Sequence, residues 1–131
     1  MNEVRRFPDV ETKLSKEIIG AGIAVHKALG PGLLEGAYEE CMAIEMARQG
    51  ISYERQKLIP VVYDGVVLDL HYRADFVVEN KLVLELKASE SILPIHEAQL
   101  LTYLKVGQYR LGLLMNFNTV LLKDGIKRMI L

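Results

Sequence analysis

Three side chains near the middle of the chain, Asp75, Glu85 and Lys87, have the types and spacing that phosphoryl chemistry needs. Paired carboxylates hold a hard divalent cation such as Mg²⁺ through oxygen and leave positions for water and a substrate phosphate. Such an ion lowers the pKa of bound water and neutralises charge on the phosphoryl oxygens. A neighbouring ammonium can hold the attacking water or stabilise the transition state electrostatically. Taken alone, Glu-x-Lys also describes a solvated strand face with a surface salt bridge. The position of Asp75 relative to the pair therefore decides between the two readings.

That position follows from alternation. Residues 66–78 place Leu68, Leu70, Tyr72, Ala74, Phe76 and Val78 at even positions and Asp69, His71, Arg73 and Asp75 at odd ones. Residues 82–88 set Leu82, Leu84, Leu86 and Ala88 against Val83, Glu85 and Lys87. Successive side chains of a strand point to opposite faces, so each segment is expected to bury its even face. A loop of residues 79–81 pairs Val78 with Leu82 and brings Asp75 opposite Glu85. A loop of residues 79–80 would pair Asp75 with Leu84 and turn one apolar face to water. Like charges directly opposed on a sheet repel, and a divalent cation between them removes the conflict.

Other elements must hold these strands. The chain has 131 residues, half of them hydrophobic, which suits one domain with a continuous core. Residues 1–11 read as an N-terminal arm and residues 12–131 as the domain. Thr12 caps a helix carrying Leu14, Ile18, Ile19, Ile23, Val25 and Leu29, which Gly30-Pro31-Gly32 stops. A second helix runs from Leu33 through Tyr38, Met42, Ile44 and Met46 to Gly50. Residues 53–63 are extended, with Pro60 indicating an edge strand or a bulge, and Asp64-Gly65 is a hairpin turn. A helix over His96–Val106, a buried strand over Arg110–Asn116 and a hairpin through Lys123-Asp124-Gly125 complete the order. The expected fold is α/β, a mixed sheet flanked by helices. The closing hairpin, residues 118–131, ends in Met129-Ile130-Leu131, which either seals the core or forms a homodimer contact.

Gln99 and Tyr103 lie four apart on one helix face, although Tyr103 also reads as a core aromatic. Glu35 and Tyr38 are neighbours on another, where Glu35 is in addition a favourable acid in a first helical turn. His71 and Arg73 share the Asp75 face, as phosphate contacts or as plain surface. His26, near a helix end, reads as a packing residue, and His96 as a cap neighbour. Cys41, the single cysteine, reads as a small core residue with neither a disulfide nor a zinc partner.

Sixteen basic against seventeen acidic side chains give a formal charge of -1, so no global field draws the chain to a polyanion. A nucleic-acid surface would have to come from local arrangement of Lys and Arg. The N-terminal residues lack the apolar stretch of a signal peptide, and no run approaches the ~18 apolar residues of a membrane span. The expectation is a soluble, cytoplasmic protein with no membrane partner.

Gly32-Leu33-Leu34-Glu35-Gly36-Ala37-Tyr38, preceded by Val25-His26-Lys27 and Gly30-Pro31, resembles the signature of the GxxExxY proteins. These form a compact branch of the PD-(D/E)XK nuclease superfamily, and the resemblance runs from about residue 12 to residue 131. It implies a restriction-endonuclease-like fold and Mg²⁺-dependent hydrolysis of phosphodiesters, with Mn²⁺ as a substitute and DNA ahead of RNA as partner. Residue by residue, it implies that Glu35 joins Asp75 and Glu85 as the metal set. Glu85 and Lys87 match the (D/E)xK element, and Gln99 and Tyr103 resemble the QxxxY element of exonuclease-like members. Ala74, where many members have proline, precedes Asp75. Tyr38 and His26 from the matching segments, with Arg73 from the strand, complete the substrate-binding candidates. Two alternatives stay open: an interaction module that keeps the fold without catalysis, and a different phosphoryl substrate such as a nucleotide. An intact set of acids plus lysine favours the enzyme.

Overall fold

The computed structural model describes the backbone from Asp9 and the side chains from Lys13 to the end of the chain. Residues 1–8 of the expected arm lie outside the described residues. The first helix, α1 (Asp9–Leu29), begins three residues before the expected Thr12 cap and so takes in residues 9–11. Its apolar side is Leu14, Ile18, Ala21 and Val25, spaced at three and four, which buries one stripe. Gly30 and Gly32 then take positive φ of 71° and 101°, and the helix cannot continue through Pro31. Helix α2 (Glu35–Arg48) packs Tyr38, Met42, Ala43 and Met46 beside α1. It is shorter at both ends than the expected Leu33–Gly50.

Five strands follow as one sheet in the order β1-β2-β3-β4-β5: β1 (Tyr53–Tyr63), β2 (Val66–Val78), β3 (Leu82–Lys87), β4 (Leu111–Asn116) and β5 (Ile126–Ile130). Asp64 and Gly65 join β1 to β2 with φ of 51° and 77°, the two positive values of a type I′ hairpin. Pro60 lies on the edge strand, beside a register shift between Pro60 and Val62. The turn after β2 pairs Val78 with Leu82, Val77 with Val83 and Phe76 with Leu84, the register expected from alternation. Helix α3 (Pro94–Gly107) starts two residues early, with Pro94 at its first position, where a missing N–H does no harm. His96 Nδ1 accepts the Leu93 N–H at 3.1 Å, so this histidine is a cap residue. α3 crosses over to make β4 parallel to β3. At Lys123-Asp124-Gly125, where a hairpin within residues 118–131 is expected, the chain forms a 3-10 turn, Leu122–Gly125, and the antiparallel partner of β5 is β4.

The sheet separates two cores. Leu82, Leu84, Leu86, Leu111, Leu113 and Met115 meet α1 and α2 on one face. Val83 and Leu114 meet Leu100, Tyr103 and Leu104 of α3 on the other. Gly112 allows the α3 approach, since a Cβ there would lie 3.1 Å from Leu100. The fold is thus an α/β sandwich with helices on both sides of a mixed sheet. No described helix is long and apolar enough to cross a membrane.

One expectation fails in an informative way. The even residues of β2 were expected to share a face from Leu68 to Val78. Phe76 and Val78 do pack against α1 and α2, but Ala74 packs with the α3 core and Tyr72 lies 5.0 Å from Tyr103, ring centre to ring centre. β1 changes sides at the same level: Tyr53 packs with the α1–α2 core and Ile59 with the α3 core. Between them Gln56 has a φ of 54°, a left-handed conformation that turns the strand over. Asp75 stands across from Gln56 at this switch.

Candidate active site

The β2–β3 ladder ends at Phe76↔Leu84, one pair short of Asp75, while β2 itself runs on to Val66. β2 therefore leaves β3 at Asp75, and the groups a longer ladder would have joined are taken by side chains. Asp75 Oδ2 accepts the Leu86 N–H at 2.8 Å, and the Asp75 N–H donates to Glu85 Oε2 at 3.3 Å. Each carboxylate is fastened through one oxygen to the opposite strand. Gln56 Nε2 reaches Asp75 Oδ1 at 3.5 Å and donates to Glu39 Oε1 at 2.8 Å. Glu39 in turn accepts from Arg55 Nε at 2.6 Å. A chain of polar contacts thus runs from Arg55 through Glu39 and Gln56 to Asp75.

The electrostatics show how crowded this pair is. Burial pushes the Glu85 carboxyl up to about 9, the negative charge of Asp75 and direct contact with its carboxylate add to this, and the Asp75 N–H and Lys87 oppose it. At neutral pH the pair therefore holds a proton. Glu35, the first residue of α2, is exposed on its outer side, yet desolvation raises its carboxyl. Lys87 pulls that value down, while Asp75 and Glu39 push it up. Lys87 therefore stands among Glu35, Asp75 and Glu85 without an ion pair within 4 Å among the described residues. It is half-buried and, by the alternation of β3, shares the Glu85 side of the sheet.

From α3, Tyr103 is buried with its phenol raised by desolvation and then by the charge of Glu85. Gln99, one turn earlier, is exposed and lines a shallow groove with Tyr72, Ile95, Ala98, Thr102 and Tyr103. The fold thus brings Asp75, Glu85, Lys87, Glu35 and Tyr103 into one electrostatically coupled group, with Gln99 on the groove beside Tyr103. It does not bring the other three candidates there. Tyr38 is fully buried, stacks on Phe117 at 4.5 Å, donates to the Gly30 carbonyl at 2.6 Å and accepts the Leu33 N–H at 3.1 Å. It closes the loop before α2 and presents no group to a ligand. His26 is buried, with Nε2 2.9 Å from the Thr119 carbonyl, and ties α1 to the β4–β5 connection. Arg73 is exposed opposite Leu58, beyond the face switch that breaks its alternation with Asp75, and His71 likewise faces solvent opposite Pro60.

Two positioning residues carry no clear sequence signal. Gln56 lies in a strand of mixed character and is special only through its backbone. Asn116, buried, accepts the Ser89 and Asn118 N–H groups on Oδ1 and donates to the Ser89 carbonyl, which fastens the segment just after Lys87. A polar residue closing the apolar run Leu-Gly-Leu-Leu-Met was its one hint.

Among the described residues no three His, Cys, Asp or Glu side chains already close on one point as a metal cage. The donor set is instead two carboxylates, each with one oxygen anchored, and a third acid at electrostatic range. That set suits an ion which keeps several waters and takes one or two carboxylates, as Mg²⁺ does.

The model of a protein family described as the PD-(D/E)XK nuclease superfamily matches residues 12–129. No curated protein matches the chain. A solved structure described as "Crystal structure of SSO0001" is similar at 25% identity with a TM-score of 0.46. The match covers 88% of this chain and 56% of that one, so the chain spans little more than half of that protein's length.

Proposed function

The chain belongs to the PD-(D/E)XK nuclease superfamily, and from that premise we propose that it hydrolyses phosphodiester bonds of nucleic acid, DNA ahead of RNA, with Mg²⁺ or Mn²⁺. Within the superfamily we place it with the GxxExxY proteins, on the Glu35 and Tyr38 signature. One observation carries the reading: Asp75 and Glu85 are each anchored to the other's strand at the point where the strands part. A surface salt bridge needs no such arrangement, whereas a cation site does, because it demands that two repelling carboxylates stay together.

In this reading Asp75 and Glu85 would hold the cation, and Glu35 would stand by as a third acid. When bound, the cation supplies an acidified water and charge neutralisation on the phosphate. Lys87 donates to the attacking water and offsets charge growing on the phosphoryl oxygens. Tyr103 and Gln99 border the site on the α3 side and orient the substrate strand. The positions of Tyr38, His26 and Arg73 support no substrate contact for them.

The test is cleavage of labelled single- and double-stranded DNA and RNA with Mg²⁺ or Mn²⁺. Wild type is expected to cut at least one substrate, and Asp75→Ala and Lys87→Ala are expected to lose at least ~100-fold of that rate. Activity that survives both substitutions removes these residues from the site. A second reading, an interaction module on the same fold, draws on the absence of a closed three-ligand cage among the described residues. It predicts nucleic-acid or protein binding with no cleavage and no dependence on Lys87.

A further inference from the structure

The outer half of the β1–β2 hairpin is exposed, and the face that continues from Tyr72 is apolar. Leu58, Val62 and Val67 are exposed on the other face, beside His71 and Arg73. Tyr63 is 76% exposed, Val66 60%, Leu68 38%, Leu70 69% and Tyr72 41%. By the period of β2, Leu68 and Leu70 share the side on which Tyr72 meets α3, and Tyr63 is paired with Val66. Ile95, at the start of α3, is 67% exposed and extends the stripe past Tyr72. These six side chains expose roughly 600 Å², close to the ~800 Å² that each partner contributes to a standard interface. Monomeric proteins rarely show contiguous apolar patches of more than a few hundred Å². A two-stranded ribbon is also marginal in water without something against its apolar face.

We propose that this stripe is covered by a second copy of the chain. Leu68 and Leu70 continue the apolar face of Tyr72, which with Ile95, Ala98, Gln99, Thr102 and Tyr103 lines a shallow groove. A two-fold axis seats each copy's Leu68 and Leu70 in the other's groove, a closed isologous contact. No Lys or Arg lies in the stripe, which disfavours a phosphate backbone as occupant. A chain of formal charge -1 offers little repulsion between copies. The interface lies on the hairpin, away from the C-terminal segment, where β5 is already paired with β4. Because Gln99 and Tyr103 line the same groove, the contact sets one copy's hairpin against the α3 side of the other's site. The inference stands without the nuclease reading.

Sedimentation velocity on the full chain, from low to high micromolar concentration, tests it. Wild type is expected to sediment as a dimer. Leu70→Lys and Ile95→Glu, both exposed positions, are each expected to stay folded by circular dichroism and to weaken association at least tenfold. Mixing the two variants is expected to restore a dimer, because lysine of one copy then meets glutamate of the other. A monomer at every concentration overturns the proposal. So does a dimer that both variants leave intact, or variants that stay dimeric and lose nucleic-acid binding.

Discussion

Asp75 and Glu85 are locked to each other's strands: the Asp75 carboxylate takes the Leu86 N–H at 2.8 Å, and the Asp75 N–H reaches the Glu85 carboxylate at 3.3 Å. The two acids cannot move apart without breaking both contacts. Their repulsion is therefore built into the fold, and a proton or a cation must relieve it.

Stability should show this as a dependence on pH. Glu85 is raised from 4.5 to about 9, above its value in an unfolded chain. A carboxyl raised on folding keeps a proton that the unfolded chain releases, so the native state binds more protons between those two values. Stability then falls as pH rises through that window and carries no such penalty below it. Metal-free protein is expected to melt several degrees lower at about pH 8.5 than at about pH 6, and Glu85→Gln to remove most of that slope. Thermal melts in chelator read this directly, and equal slopes in the two proteins would count against it.

Gln56 should act through Asp75. Glycine accepts the φ of 54° without strain, so Gln56→Gly keeps the strand crossover while removing the side chain that bridges Glu39 and Asp75. The expected result is a melting temperature within a few degrees of wild type, a several-fold weaker response to Mg²⁺ and a shifted pH–rate profile. Gln56→Val, β-branched at positive φ, should instead lose roughly 1–3 kcal/mol of stability. Denaturant titration beside metal titration separates the two effects.

Tyr38 and His26 belong to the scaffold. Tyr38→Phe deprives the Gly30 carbonyl and the Leu33 N–H of their partner and should lower stability by about 1–3 kcal/mol. Cleavage per folded molecule is expected to stay within about twofold of wild type, well under the ~1.4 kcal/mol that a tenfold change represents. A large loss of rate with unchanged stability would return Tyr38 to the substrate.

Much of this was legible because it depends on period and turn chemistry. Val78 and Leu82 set the β2–β3 register, and Asp64-Gly65 marked the first hairpin. Glu85 and Lys87 read correctly as one side of β3, because β3 is a regular strand between two cores. The face switch was not legible: the even-numbered apolar run from Leu68 to Val78 continues through it unbroken, while the backbone turns over at Gln56, a residue type with no bias toward positive φ. That hidden turn carried Arg73 away from Asp75. His26 packs as its place near a helix end suggests, and Tyr38, though in the signature segment, serves the loop that presents its neighbour. Here Tyr38 and the Gly30–Leu33 loop set the start of α2, and with it Glu35.

The most direct test of the central claim is calorimetric titration of Mg²⁺ and Mn²⁺ into wild type and Asp75→Ala at about pH 7, repeated in buffers of different ionisation enthalpy. With Glu85 raised to about 9, the wild-type pair is protonated at that pH, and a cation taking its place must release close to one proton. The expected result is saturable binding with that release in wild type and neither in Asp75→Ala. Binding that persists in Asp75→Ala, or that releases no proton, would contradict a cation held between Asp75 and Glu85.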